Sequence, residues 1–176
     1  QRGIAQSALA VDDGYMPAFN LLALIYLESA KVKAGKAKSK VATGAAKAKE
    51  KKLDTQALEL AALVCSQAIR KNPNYAPIHN TAGMIQVELN NLNSAVQEFN
   101  VARKLDPSFY EAQMNFAAVN LQFRGFAQAQ DAYQAVLKLH PRDYDARLGL
   151  ALALRGQIDD GNFDKQVAAT SSELEE

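Results

Sequence analysis

Few side chains in this sequence are of types that do chemistry. His79, His140 and Cys65 are the only histidines and cysteine, and two acidic pairs stand at Asp12–Asp13 and Asp159–Asp160. A metal site needs His or Cys joined by further His, Cys, Asp or Glu at ligand spacing. Neither histidine has such neighbours. Aspartate is common in turns because its carboxylate bonds backbone N–H groups close by, so both acidic pairs read as turn residues. The fragment GKAKSK at 35–40 looks like a phosphate loop. That motif, however, requires a glycine five places before its Gly-Lys pair and a hydroxyl residue after the lysine. Those places hold Ala30 and Ala37. The expectation is a chain that is not an enzyme and carries no metal and no cofactor.

A stronger chemical feature is KVKAGKAKSKVATGAAKAKEKK at 31–52. It holds Lys31, Lys33, Lys36, Lys38, Lys40, Lys47, Lys49, Lys51 and Lys52 against one glutamate, a net +8. The rest of the chain carries 11 basic and 18 acidic residues, a net −7. Such a stretch could attract an acidic protein, an anionic lipid surface or nucleic acid. It has no aromatic ring to stack on bases and no arginine for bidentate phosphate contacts. A solvated extension without a ligand is the plainer reading, an acidic partner the next, and membrane or nucleic acid the last.

The elements that carry these residues follow from composition. Of 176 residues, 48% are apolar but only 7% aromatic, with no tryptophan. A core must therefore be built mainly from Ala, Leu, Val and Ile. Strong helix formers dominate, with five prolines and nine glycines, which favours an all-α chain. A single cysteine allows no internal disulfide. No apolar run reaches the ~18 residues of a membrane span. The chain opens inside one helical pattern, IAQSALAV, and stops inside another, KQVAATSSELEE. It reads as a segment of a longer array whose repeat number the sequence does not give.

Internal repetition organises the chain. Pro73, Pro107 and Pro141 stand at one fixed spacing, after AIRKNP, ARKLDP and VLKLHP, and each is followed closely by an aromatic: Tyr75, Phe109 and Tyr144. Proline cannot continue a helix, so each marks a boundary. In phase with them fall Ala82 and Gly83, then Ala95, Phe99 and Ala102. Phe116 and Ala117 follow, then Ala129, Tyr133 and Val136. On these residues the chain resembles the tetratricopeptide repeat (TPR) family, whose unit is a helix pair, A and B, with small residues where they cross. Val136 departs from the usual small residue. A fourth unit would place Leu150 and Ala151 at the crossing, but GNFDK at 161–165 comes late for its turn and Thr170 stands where an aromatic belongs. The resemblance implies a right-handed helical-hairpin solenoid.

The same ruler explains the lysine stretch. YMPAFNLLALIYLE at 15–28 matches YAPIHNTAGMIQVE at 75–88, and Ala61, Cys65 and Ala68 take the helix-B places before Pro73. The extra residues therefore lie between helix A and helix B of one unit, as an insertion at about 31–56 and not as a tail. The chain then divides into a last helix of a preceding repeat at 1–12 and a repeat at 15–72. Further repeats follow at 73–106 and 107–140, and an atypical or truncated one at 141–176. An insertion split between two helices would lengthen each by ~13 residues, or ~20 Å, with a mobile tip near 35–44. Cys65, on a buried helix-B place, reads as a packed thiol.

In the family the A helices line a concave groove. The resemblance puts Asn20, Leu24, Leu27, Asn80, Met84, Val87, Met114, Asn115, Ala118, Leu121 and Leu152 there, with Glu28, Glu88, Gln122, Leu148 and Arg155 beside them. Some members hold a partner's terminal carboxylate with Lys, Asn and Arg. Here Pro77, Glu111, Asp145 and Gly149 stand at the cationic places, so no carboxylate clamp is expected. The implied function is a protein-protein scaffold for multiprotein assembly, taking a peptide or partner helix on an apolar floor. The alternative is an adaptor docking through 31–52. Self-association through exposed array ends is a further expectation. The Ala/Gln/Asn-rich units are similar to bacterial members, including lipoproteins. The expected place is the cell envelope on its periplasmic side, with the cytoplasm as the alternative.

Overall fold

A computed structural model describes residues 1–36 and 54–159, without the side chains of 32–36. Residues 37–44 of the expected tip, six lysines of the insertion (Lys38 to Lys52) and the part of the atypical or truncated repeat from 160 onward lie outside the described residues. Among those described there are eight α-helices and no strand. They fall into two compact units, 1–91 and 92–176. The first contains α1 (Arg2–Val11), α2 (Met16–Lys36), α3 (Thr55–Lys71) and α4 (Ala76–Glu88). The second contains α5 (Leu92–Leu105), α6 (Tyr110–Gln122), α7 (Phe126–Leu139) and α8 (Tyr144–Asp159).

Small side chains at a fixed period let these helices touch. Ala61, Ala95 and Ala129 are each wholly buried on α3, α5 and α7. One turn on, Cys65, Phe99 and Tyr133 are buried, and after them Ala68, Ala102 and Val136. An alanine at a crossing brings helix axes to the short end of the usual 8–10 Å range. The larger residue beside it fills what that approach leaves open. In the first unit α2 packs on α1, α3 and α4 around Phe19, Leu22, Leu27, Leu58, Ile78 and Ile85. In the second, α6 and α7 both pack on α8.

Turn chemistry repeats with the same period. At three helix ends an Asx turn reverses the chain. Asp12, Asn72 and Asp106 accept from the backbone N–H of Gly14, Asn74 and Ser108 at 2.9, 3.0 and 2.9 Å. Both acidic residues of the 12–13 pair have structural work, since Asp13 also meets Lys71 at 2.8 Å. Then a side chain six residues past each boundary residue ties the next helix to it. His79 Nε2 meets the Pro73 carbonyl at 2.9 Å, Gln113 Nε2 donates to Pro107 at 3.1 Å, and Arg147 Nε donates to Pro141 at 3.0 Å. Three unlike side chains make one bond.

Helices α4 and α6 stop the same way. Asn90 and Arg124 adopt φ of 60° and 59°. The next N–H reaches back five residues, Asn91 to Gln86 and Gly125 to Asn120, both at 2.8 Å, which is the Schellman closure. The corresponding places on α2 and α8 hold Ala30 and Ile158. Neither takes the left-handed conformation readily, Ile158 least of all because it is β-branched. Both helices run on, α2 to 21 residues where α4 has 13.

The fourth unit departs from expectation. Leu150 is half-buried and Ala151 exposed. The small residues that α8 buries are Ala146, Gly149, Ala153 and Gly156. A Cβ on Gly149 would come within 2.2 Å of the Tyr133 ring, and one on Gly156 within 2.3 Å of the Phe126 ring. These glycines are the reason α7 and α8 can meet.

Two substitutions test this packing by chemical denaturation. Gly149→Ala should destabilise by about 1–3 kcal/mol through overpacking, although alanine is the better helix former by ~0.5–1 kcal/mol. Arg124→Gly should stabilise by up to ~1 kcal/mol, because it relieves a left-handed non-glycine residue.

Candidate functional site

Helix periodicity decides which side chains of α2, α4, α6 and α8 remain available to a partner. On α4 and α6 the predicted groove residues Met84, Val87, Met114, Asn115 and Leu121 are half-buried, as is Leu24 on α2, while Ala118 is exposed. On α8, Leu148 is 48% and Leu152 49% exposed. Within the second unit, Met114 and Leu148 stand one repeat apart, and so do Ala118 and Leu152. Helices α6 and α8 pack on each other, so these four side chains form neighbouring rows.

The structure corrects three sequence expectations. Leu27 is wholly buried in the core of the first unit and unavailable to a ligand. Its counterparts Val87 and Leu121 are the penultimate residues of their helices, whereas α2 continues well past Leu27. Asn80 is buried, with its amide against Met84 Sδ at 3.9 Å. Asn20 accepts the Thr81 hydroxyl at 2.6 Å, so α2 and α4 are tied together through the first of these amides. Lys31 is no free prong: it meets Glu28 at 3.2 Å and Glu88 at 3.8 Å. Lys33 and Lys36 lie on the last turns of α2.

Two features escaped the sequence reading. Leu60 and Leu63 are exposed on α3, where α5 offers Ser94 and Gln97 and α7 offers Gln128 and Asp131. A comparison of equivalent places would have found them. Tyr144 is also exposed, at 75%. With Leu148 and Leu152 it completes an i, i+4, i+8 stripe along α8.

Electrostatics differ between the two ends of this stripe. Near its start the Tyr110 hydroxyl donates to Asp143 at 3.0 Å, and the Tyr110 and His140 rings meet edge to face with centroids 5.6 Å apart. The hydrogen bond to Asp143 raises the Tyr110 pKa most, burial adds to it, and the charges of Asp143, Asp145 and Glu111 push the same way. Asp143 in turn caps α8 by accepting the Ala146 N–H at 2.7 Å. That bond is the main cause of its lowered pKa, with the Tyr110 hydroxyl and His140 helping. At the far end Arg155 lies 3.9 Å from Asp159. Tyr133, behind the stripe, has its pKa raised by burial.

Among the described residues no group of three or more His, Cys, Asp or Glu could hold a metal. None of the described helices is long and apolar enough to cross a membrane. Cys65 is buried. What the face offers is apolar contact area with charge at its margins.

No family model matches the chain, and no curated protein does. Solved structures do match. A thermophilic TPR protein of Thermus thermophilus is 24% identical, with 87% of this chain and 71% of that one covered and a TM-score of 0.65. MamA is 15% identical, with 99% and 79% covered and a TM-score of 0.63. The first TPR of Spaghetti (RPAP3), bound to the HSP90 peptide SRMEEVD, is 17% identical, with 77% and 93% covered and a TM-score of 0.55.

The lowered pKa of Asp143 sets a pH dependence. Its folded value lies below the unfolded one, so its contribution is complete above the ordinary carboxylate range and is lost as pH falls through the folded value. Thermal melts should show wild type losing stability between about pH 5 and about pH 2, and Asp143→Ala losing less over that interval.

Proposed function

For a chain with the tetratricopeptide-repeat fold, we propose the role of a non-catalytic scaffold that takes a peptide or partner helix on the faces of its A helices. The observation that carries this reading is the exposed row Tyr144, Leu148 and Leu152 on α8 beside Met114 and Ala118 on α6. Single exposed leucines are ordinary, but a continuous apolar row is where polypeptide partners settle. A helix or extended segment with Leu-type anchors has the matching shape. The likeness to a repeat domain solved with a bound peptide supports the same reading. The carboxylate-clamp chemistry is not proposed, because Pro77, Glu111, Asp145 and Gly149 occupy the cationic places. Docking through the lysines of 31–52 is the second reading, and the charge concentrated there favours it.

Salt separates the two. Binding through the lysines should weaken steeply as ionic strength rises, because exposed charges are screened over ~10 Å at 0.1 M. Binding through an apolar face should change little. Fluorescence anisotropy with leucine-bearing peptides gives the direct test. Leu152→Asp, at an exposed position, should cost at least about tenfold in affinity, or ~1.4 kcal/mol, with the helical circular-dichroism signal intact. Unchanged affinity would refute the proposal.

A further inference from the structure

We propose that the α6–α8 face selects a cationic amphipathic segment, one that sets a lysine or arginine against Glu111 and Asp145 and apolar side chains against Leu148 and Leu152. This rests on the peptide-binding reading and names the chemistry of the peptide.

Three observations carry it. The apolar row along α8 is exposed among the described residues: Tyr144, Leu148 and Leu152 stand open at helical spacing. Its amino-terminal end is acidic. Glu111 and Asp145 are exposed, second residues of α6 and α8, one repeat apart. Both, with Asp143, act on the Tyr110 hydroxyl, so their fields overlap at one spot. Finally, the cation on the first turn of α8 is already used. Arg147 turns both Nε and a terminal nitrogen to the Pro141 carbonyl, at 3.0 and 2.6 Å.

A plainer explanation is that Glu111 and Asp145 merely favour their own helix starts, where acidic side chains oppose the dipole. That role accounts for their place in sequence but not for the exposed apolar row beside them. The two features together describe a complement: positive at one end, apolar for the next two turns. An acidic peptide of the EEVD type would meet repulsion here. Tyr144, which is exposed, adds a ring on which a cationic head can rest.

The test uses the full chain and three labelled synthetic helix-forming peptides in anisotropy titrations. All share one register. Two keep leucines at i and i+4, the first with lysines a turn before them and the second with glutamates there. The third keeps the lysines but has serines for leucines. The lysine–leucine peptide should bind at least about tenfold more tightly than the glutamate–leucine peptide. The lysine–serine peptide should bind about tenfold more weakly than its leucine parent. The double variant Glu111→Lys/Asp145→Lys should reverse the charge preference and bind the glutamate–leucine peptide better, which excludes a folding defect as the cause. Equal binding of the lysine and glutamate peptides would overturn the charge assignment and leave the apolar scaffold standing. Failure of both leucine peptides to bind would overturn the scaffold reading as well. Binding of the lysine–serine peptide as tightly as its leucine parent would overturn the apolar half.

Discussion

The structure depends on how closely two helix backbones can come together. That distance is set by the smallest side chains at the crossing, and here it is set by alanine and glycine. Ala61, Ala95 and Ala129 lose all their exposure at the B-helix crossings. Gly149 and Gly156 leave just enough space for the rings of Tyr133 and Phe126. A single added methyl at either glycine has nowhere to go, because protein interiors are packed at crystal-like density. The aromatic residues can be few because these small residues do the spacing. One ring or thiol per B helix, Cys65, Phe99 or Tyr133, completes each crossing.

This constraint is what made the fold readable. A 34-residue recurrence of proline, small residue and aromatic fixes where each helix pair begins and which side of the B helix is buried. Much else was hidden for physical reasons. The bond from His79, Gln113 and Arg147 to the preceding proline carbonyl repeats in space, but a histidine, an amide and a guanidinium share no letter. The left-handed residue at the α6 end is Arg124 and not its neighbour Gly125. Gly125 is needed instead for its close approach to the Asn120 side chain. The fourth unit misled because its proline gives the spacing without saying which face of α8 is covered. Leu27 misled because the same sequence place is peripheral near a helix end and central in a helix that continues.

The candidate face was legible only in outline. Sequence equivalence named Leu24, Met84, Met114, Ala118, Leu121 and Leu152 as one kind of place, yet burial grades them sharply. In the first unit Asn20, Thr81, Glu28, Lys31 and Glu88 bind one another across α2 and α4, so the polar groups there serve cohesion. In the second unit the equivalent row on α6 and α8 is apolar, with Met114 half-buried and Ala118, Leu148 and Leu152 exposed. The difference follows from side-chain type: amides and charges bond across to a neighbouring helix, while Leu148 and Leu152 stay exposed among the described residues.

The central claim is that this open row on α6 and α8 is the surface that receives a polypeptide. Methyl-resolved NMR of the leucine, methionine and alanine side chains during a titration with a leucine-bearing peptide tests it most directly. The account predicts saturable shifts at Leu148, Leu152, Met114 and Ala118. Shifts confined to Leu60 and Leu63 on α3, or none at any methyl, would contradict it.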